Sequence, residues 1–533
     1  MIRGSGRVLA STGPWLVVFV LFLVVNAYIR RQWIWIVGDD QNLMMPAIDL
    51  GRGYTPNLDF VSGYPGLTFY VQRLVMLFAG ERPVAEHIYT ALQAAFFGGV
   101  AAFVLRKWYP PALVWLMVAF LWTVSHAVNP TPNPGFVVES LALLAMVLME
   151  RVGREGRLPD AAAAGALAAL AFLFKQYGIM LCAGFILFTS LACLASPKAP
   201  AVRWRRAAIV LLNVGVFAAY IWVYLLRSVF LVPHHDPQAA ADLPISTVAF
   251  LSPWVFALSC LVLLALRPRA LMPRGLSFAE LAKTNLAFGA SLAVVGGLAI
   301  ILMYGLGPDA VKAIRAMFLD APATINSNIL ALQPLQLWPE LALTCPVVIG
   351  PLLLRELRNP VLQLAVLVAI AAAVLYTART YTDLKLTVAP TLTFFLLVAV
   401  YLVDRPEGEA WSWFFVFVSG STMLAYLIPY PYYMYNMGIL IVSGWAMMGG
   451  TFHSPWPALV NPVGAVLLAV ILALALKDGR DVMNRMATYE VGSHWVKSYD
   501  PSFGAAVEAA NKSTPAEAEH ELYDYLIWLA HLP

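Results

Sequence analysis

The chain has 533 residues, 61% of them hydrophobic and 12% charged, and a net charge of +4, with a mean hydropathy of +0.74. That balance excludes an ordinary soluble domain, because apolar runs of about 20 residues, enough to cross a hydrocarbon core, recur along almost the whole length. It also argues against a nucleic-acid partner, since the basic residues sit in short clusters between hydrophobic runs and not on one stripe or tail.

Apolar segments begin near residues 14, 85, 111, 135, 158, 177, 207, 247, 285, 340, 360, 386, 411, 436 and 457. They predict an all-α polytopic membrane protein of about 13 to 15 transmembrane helices. The first segment, PWLVVFVLFLVVNAYI, follows Arg3 and Arg7 and has the layout of a signal peptide, with a weak cleavage site at Val25-Asn26-Ala27. Its length and the many later spans favour an uncleaved first helix. Orientation follows from Lys and Arg. Arg106 and Lys107; Arg151, Arg154 and Arg157; Lys198, Arg203, Arg205 and Arg206; Arg267, Arg269, Arg274 and Lys283; and Arg355 and Arg358 all fall on one predicted side. The loop HAVNPTPNPG falls on the other and has neither residue type. The N-terminus is thereby placed in the cytoplasm of a cell in which this multi-pass chain occupies the inner or plasma membrane. Residues 31–84 face the periplasm or exterior.

That first outside loop is long for a connection. Its stretch GLTFYVQRLVMLFAG predicts a helix lying in the membrane interface. A second outside segment, 306–338, sets Val311, Ile314 and Phe318 on one helical face with Lys312 and Arg315 turned elsewhere, and predicts another. Residues 1–476 then form the transmembrane unit and 477–533 a small outside tail. Cys182, Cys193, Cys260 and Cys345 lie in or beside apolar runs without metal-ligand spacing, and no internal repeat is found.

Ionisable groups in or beside hydrocarbon need a reason. Lys175 follows roughly 25 Å of helix counted from Leu158, and Arg227 lies about 30 Å along its own helix from Ala207. Glu139 enters about one turn from the outside, and Arg379, Asp383 and Lys385 share the outside turn ARTYTDLK. All reach the outer level. Snorkelling alone would put a single Lys or Arg there, whereas cations gathered at that level suit a phosphate whose lipid tail stays in the bilayer. Asp39 and Asp40 follow the first apolar run directly. Mutual repulsion raises their proton affinity, which makes one of them a better general base toward a hydroxyl; the alternative is a solvated loop that stops the first helix. Asp39, Asp40 and Asp59 with His234 and His235 could hold a divalent cation, but no tight spacing marks such a site, so neither a metal nor another cofactor is required.

The block GDDQNLMMPAIDLGRGYTPNLDFVSGYPGLTFY joins Asp40, a predicted helix, Gly51 to Tyr54, Asp59 with Phe60, and Tyr64-Pro65-Gly66. It resembles the membrane-embedded GT-C glycosyltransferases, in the branch of protein mannosyltransferases and lipid A aminoarabinose transferases. GALAALAFLFKQYG is similar to the family's helix ending in Lys-Gln, here Lys175 and Gln176, and RTYTDLKLTVAP is more loosely similar to a late block leading into a Pro-containing helix. The resemblance covers roughly residues 14 to 180. Where many members have Asp-Glu, this chain reads Asp39-Asp40-Gln41, so either aspartate can align with the catalytic acid; Asp40, which directly precedes the helix, is favoured.

The resemblance implies a GT-C-like bundle and a nucleotide-free, inverting transfer of a hexose or pentose. The donor is a polyprenyl-phosphate sugar and the acceptor is a hydroxyl of a lipid, glycan or protein at the outer face. Joined to the charges above, it assigns Asp40 as base, oriented by Asp39 or Asp59. Lys175 and Arg379, with Arg227 or Arg315, hold the departing phosphate. Tyr64, Glu139 and Tyr381 contact sugar or acceptor, and Gln176 and Lys385 belong to the same substrate-binding set. A transporter or lipid flippase is the reading from another class; the lack of repeats and the outer level of the charges stand against it. A ligase or polymerase joining lipid-linked glycans shares the topology and would use lipid-diphosphate substrates.

Overall fold

The computed structural model describes residues 41–60, 64–81, 83–128, 134–220, 254–272, 274–317, 337–379, 408–424, 437–450 and 455–486. Over these the chain is built of helices. In order they are α1 Gln41–Gly51, α2 Leu67–Ala79, α3 Pro83–Leu105, α4 Pro111–Val128, α5 Pro134–Glu155 and α6 Leu158–Phe174. A 3-10 turn, Gln176–Ile179, leads to α7 Met180–Leu194 and α8 Arg203–Tyr220, followed by α9 Trp254–Leu266. The remainder are α10 Phe278–Tyr304, α11 Pro308–Arg315, α12 Leu337–Glu356, α13 Pro360–Arg379, α14 Gly408–Leu424, α15 Met437–Gly449 and α16 Val460–Met486.

Predicted starts at 111, 158 and 360 coincide with Pro111, Leu158 and Pro360, where proline is pre-set for a first helical turn or lies one residue inside it. The starts near 14, 247, 386 and 436 lie outside the described residues. The helix expected from 285 begins earlier, at Phe278, for a local reason. Ser277 accepts the Glu280 N–H while the Glu280 carboxylate accepts the Ser277 N–H at 2.7 Å. This capping box satisfies two amides at once and starts the helix inside a polar stretch.

Three helical stretches among the described residues are long and apolar enough to cross a membrane: Ile88–Leu105, Gln176–Leu194 and Phe278–Tyr304. Shorter apolar helices accompany them. Helix α6 packs between α5 and α10. Its alanines Ala161, Ala164, Ala168 and Ala171 are fully buried, and small side chains let helix backbones approach closely where no water drives them together. Helix α10 also runs along α7, where Phe185 and Phe288 stack at 4.1 Å. Its other side leaves Leu286, Val294, Leu298 and Leu302 exposed, the surface a helix presents to lipid.

This packing gives the bundle two ends. At one, α6 stops at Lys175 and α10 stops at Tyr304, beneath the loop that precedes α2. At the other lie the α5–α6 turn, the end of α7 and the start of α10, among the arginines of the predicted inside loops.

Candidate functional site

Helix α6 ends because Lys175 leaves the helical conformation, with φ −155° and ψ 138°. Its N–H still closes the last turn on the Ala171 carbonyl at 3.0 Å, and its own carbonyl accepts the Gly178 N–H at 2.9 Å. The 3-10 turn then folds back so tightly that a Cβ on Gly178 would collide with the Ala171 backbone, so only glycine fits that return. The outcome is a lysine at a helix break, only 6% exposed. Its ammonium lies 5.3 Å from the Tyr64 ring centroid and 5.5 Å from that of Tyr177. Both distances are within cation–π range. Gln176, the next residue, is buried as well.

The loop above is ordered by its own polar groups. Asp59 accepts the Thr55 N–H at 2.6 Å, and Asn57 takes the left-handed conformation at φ 63°, which a short polar side chain tolerates best. Asn57 is buried, and its amide donates to the Tyr64 carbonyl at 3.3 Å and to the Tyr304 hydroxyl at 3.4 Å. Tyr70 donates to the Met303 carbonyl at 3.3 Å. Tyr64 packs edge-on against Phe69 of α2. The first loop is therefore tied to the top of α10, and Tyr64 is held over the end of α6.

Helix α2 buries Thr68, Phe69, Gln72 and Met76 and leaves Leu74, Leu77 and Phe78 exposed. That division matches a helix with one face on the protein and one toward lipid. In α11 the buried contact is Ala313, packed near Tyr304 and Leu58. The stripe of Val311 and Ile314 is exposed, as are Lys312 and Arg315. In α1, Asp49 stands 3.6 Å from Arg52. Partial burial raises the carboxyl above its ordinary proton affinity, and the guanidinium opposes that rise.

Of the sequence-predicted residues, the structure brings Lys175, Gln176 and Tyr64 to one place, with Asp59 in the loop that carries Tyr64. Glu139 is placed differently. It is fully buried on α5, and its Oε1 accepts the Ile439 N–H at 3.0 Å, with the Gly438 N–H also bonded to the carboxylate. Glu139 thus caps the first turn of α15, where the unpaired amides and the helix dipole favour an anion. Arg379 is the last residue of α13. Asp39, Asp40, Arg227, Tyr381 and Lys385 lie outside the described residues. Among the described residues no three His, Cys, Asp or Glu side chains are gathered as metal ligands would be; His234 and His235 lie outside them.

Sequence reasoning missed Tyr177, Asn57 and Tyr304. Tyr177 stands two residues from Lys175 in the quoted KQYG, so an aromatic flanking a buried cation was the available signal. The bond between Asn57 and Tyr304 joins residues 247 apart, and no local pattern encodes it.

No protein-family profile and no curated protein sequence matches the chain. Three solved structures overlap with it. Two are of the Archaeoglobus fulgidus oligosaccharyltransferase: AglB in complex with an inhibitory peptide and a dolichol-phosphate, at 9% identity and TM-score 0.39, and the apo form, at 12% identity and TM-score 0.39. Each overlap covers 93% of this chain and 59% of the archaeal one, so this chain spans about three-fifths of their length. The third is ArnT from Cupriavidus metallidurans bound to undecaprenyl phosphate, at 14% identity and TM-score 0.31, covering 80% of this chain and 78% of that one. Similarity at this level assigns no activity to the chain.

Proposed function

We propose that the chain is a membrane glycosyltransferase of the GT-C type, which moves a sugar from a polyprenyl-phosphate donor to an acceptor hydroxyl at the outer face of the membrane, with inversion. The single observation that supports it best is the placement of Lys175 at the break after α6. It is buried beneath the first loop and flanked by the faces of Tyr64 and Tyr177. In so water-poor a place an ammonium attracts a phosphate oxygen far more strongly than in bulk water. The donor's tail would remain in hydrocarbon while its head group meets the cation.

In the reaction the acceptor oxygen attacks the anomeric carbon and its proton passes to the Asp40 carboxylate. The bond from that carbon to the phosphate oxygen breaks, and its electron pair leaves on polyprenyl phosphate. Lys175, with Arg379, stabilises the charge that accumulates on this leaving group, which is where a fixed cation contributes most. Asp39 orients the base. Asp59 supports the site through the turn it closes with Thr55, within which Asn57 donates to the Tyr64 carbonyl.

The test uses the full-length protein in lipid nanodiscs supplied with radiolabelled polyprenyl-phosphate sugars. Asp40→Asn should abolish sugar transfer while leaving donor binding intact. Full transfer by that variant would sink the assignment of the base, and unchanged transfer after Lys175→Ala would separately remove the phosphate-holding role.

A further inference from the structure

At the end of the bundle away from Lys175, a cavity of about 680 Å³ opens between the α5–α6 turn, the segment entering α10 and the first turn of α14. Three arginines, Arg154, Arg157 and Arg274, line it together with Glu155 and Glu409. Most of these charges already have partners. Glu155 stands 3.5 Å from Arg154 and 3.8 Å from Arg157. Arg154 also reaches Glu150 at 2.6 Å, Arg157 reaches Asp160 at 3.6 Å, and Glu409 is paired with Lys107. Arg274 differs: no carboxylate lies within ion-pair distance of it among the described residues.

The segment that carries Arg274 is held firmly. The Leu271 and Met272 N–H groups both bond the Ala195 carbonyl, at 3.0 and 3.1 Å, and the Ser196 hydroxyl donates to the Arg274 carbonyl at 3.0 Å. Gly275 sits at φ +52°, and a Cβ there would run into Ser196. The arginine is therefore presented to the cavity by a fixed backbone. From the same place α10 rises with its exposed strip of Leu286 and Val294, and Leu158, next to Arg157, is 43% exposed. A cation on a fixed backbone beside a cavity, with apolar surface climbing from it, matches a phosphate diester that carries acyl chains better than it matches a free anion.

We infer that this cavity takes the phosphate head group of an anionic phospholipid from the leaflet at that end, with Arg274 as its principal contact. Basic pockets at the ends of membrane helices hold such head groups through charge-assisted hydrogen bonds. The site is independent of the reaction proposed at Lys175 and lies at the opposite end of the bundle.

The experiment titrates the detergent-solubilised full-length protein with dihexanoyl phosphatidylglycerol and reads bound lipid by native mass spectrometry. Saturable binding is expected, with affinity falling about tenfold in Arg274→Gln and with dihexanoyl phosphatidylcholine binding far more weakly. Arg274→Lys, which keeps the charge, should lie between wild type and Arg274→Gln. Equal affinity in wild type and Arg274→Gln would overturn the site. Displacement of the lipid by inorganic phosphate at matching concentration would overturn the lipid as its occupant.

Discussion

The two ends of the bundle treat cations in opposite ways. At the predicted inside end, Arg151, Arg154 and Arg157 are about half-exposed and each meets a carboxylate: Arg151 stands 3.3 Å from Asp160, and Arg154 stands 2.6 Å from Glu150. At the other end Lys175 is 6% exposed and is flanked by ring faces. A half-exposed cation with a carboxylate beside it is largely neutralised and reached by water, so its field extends little beyond the pair. A buried cation is reached by little water, and its field is screened less. The two ends therefore differ in the surroundings of their cations and not only in how many they hold.

The largest effect should come from reversing that arrangement. Lys175→Ala should lower sugar transfer about 100-fold, the scale seen when one fixed stabiliser of developing negative charge is removed. Arg151→Gln at the opposite end should leave transfer within about twofold, because it lies away from Lys175 and Arg157 still stands 3.6 Å from Asp160. Rates measured with the same donor would break the comparison if the two substitutions cost alike.

Next in size is a loss of stability. Glu139→Ala removes the acceptor for the Ile439 N–H and leaves a buried amide at the start of α15 without it. The cost should be about 1 to 3 kcal/mol, read from unfolding in detergent. Glu139→Gln should cost less, since an amide oxygen still accepts that bond; equal losses would show that the charge itself, against the helix dipole, matters more than the hydrogen bond.

Smaller still is the contribution of one ring to the lysine. Tyr64→Leu should reduce transfer roughly fivefold to tenfold, on the order of 1 kcal/mol of cation–π attraction, whereas Tyr64→Phe keeps the face and should stay near wild type. A Phe variant as poor as the Leu variant would shift the role from the ring to the hydroxyl.

Much of the scaffold was legible in the sequence because its signals are local. The helix starts at Pro111, Leu158 and Pro360 follow from proline at or just inside a first turn, and the helix end at Lys175 from the end of the apolar run that begins at Leu158 and from its likeness to a helix ending in Lys-Gln. The start of α10 was displaced because SFAEL reads as a polar loop until Ser277 and Glu280 are seen to cap each other. The site was legible only in part. Lys175 and Tyr64 stood out as a charge in an apolar run and as an aromatic in a recognisable block, whereas Tyr177, two residues from Lys175, was not singled out. Glu139 was expected on the substrate, and the structure places it on a helix start 300 residues further along the chain. A buried acid carries the same letter in the sequence for either purpose; only the partner distinguishes them.

The smallest effect belongs to the polar contacts inside the bundle, between its two ends. Asn213 of α8 donates to the Ser190 hydroxyl at 2.8 Å, and Asn285 of α10 donates to the Thr189 hydroxyl at 3.1 Å. Buried asparagine in hydrocarbon invites the idea of a strong lock, yet such interhelical bonds average only about 0.6 kcal/mol, because the separated helices find other partners. The reason is visible at Ser190, whose hydroxyl also donates to the Ile186 carbonyl at 2.7 Å. Asn213→Leu therefore removes a donor without stranding Ser190, whereas Glu139→Ala strands an amide. Unfolding of Asn213→Leu should shift by roughly 0.5 kcal/mol, with sugar transfer unchanged. A loss matching that of Glu139→Ala would mean that α7 and α8 depend on this bond as α5 and α15 depend on theirs.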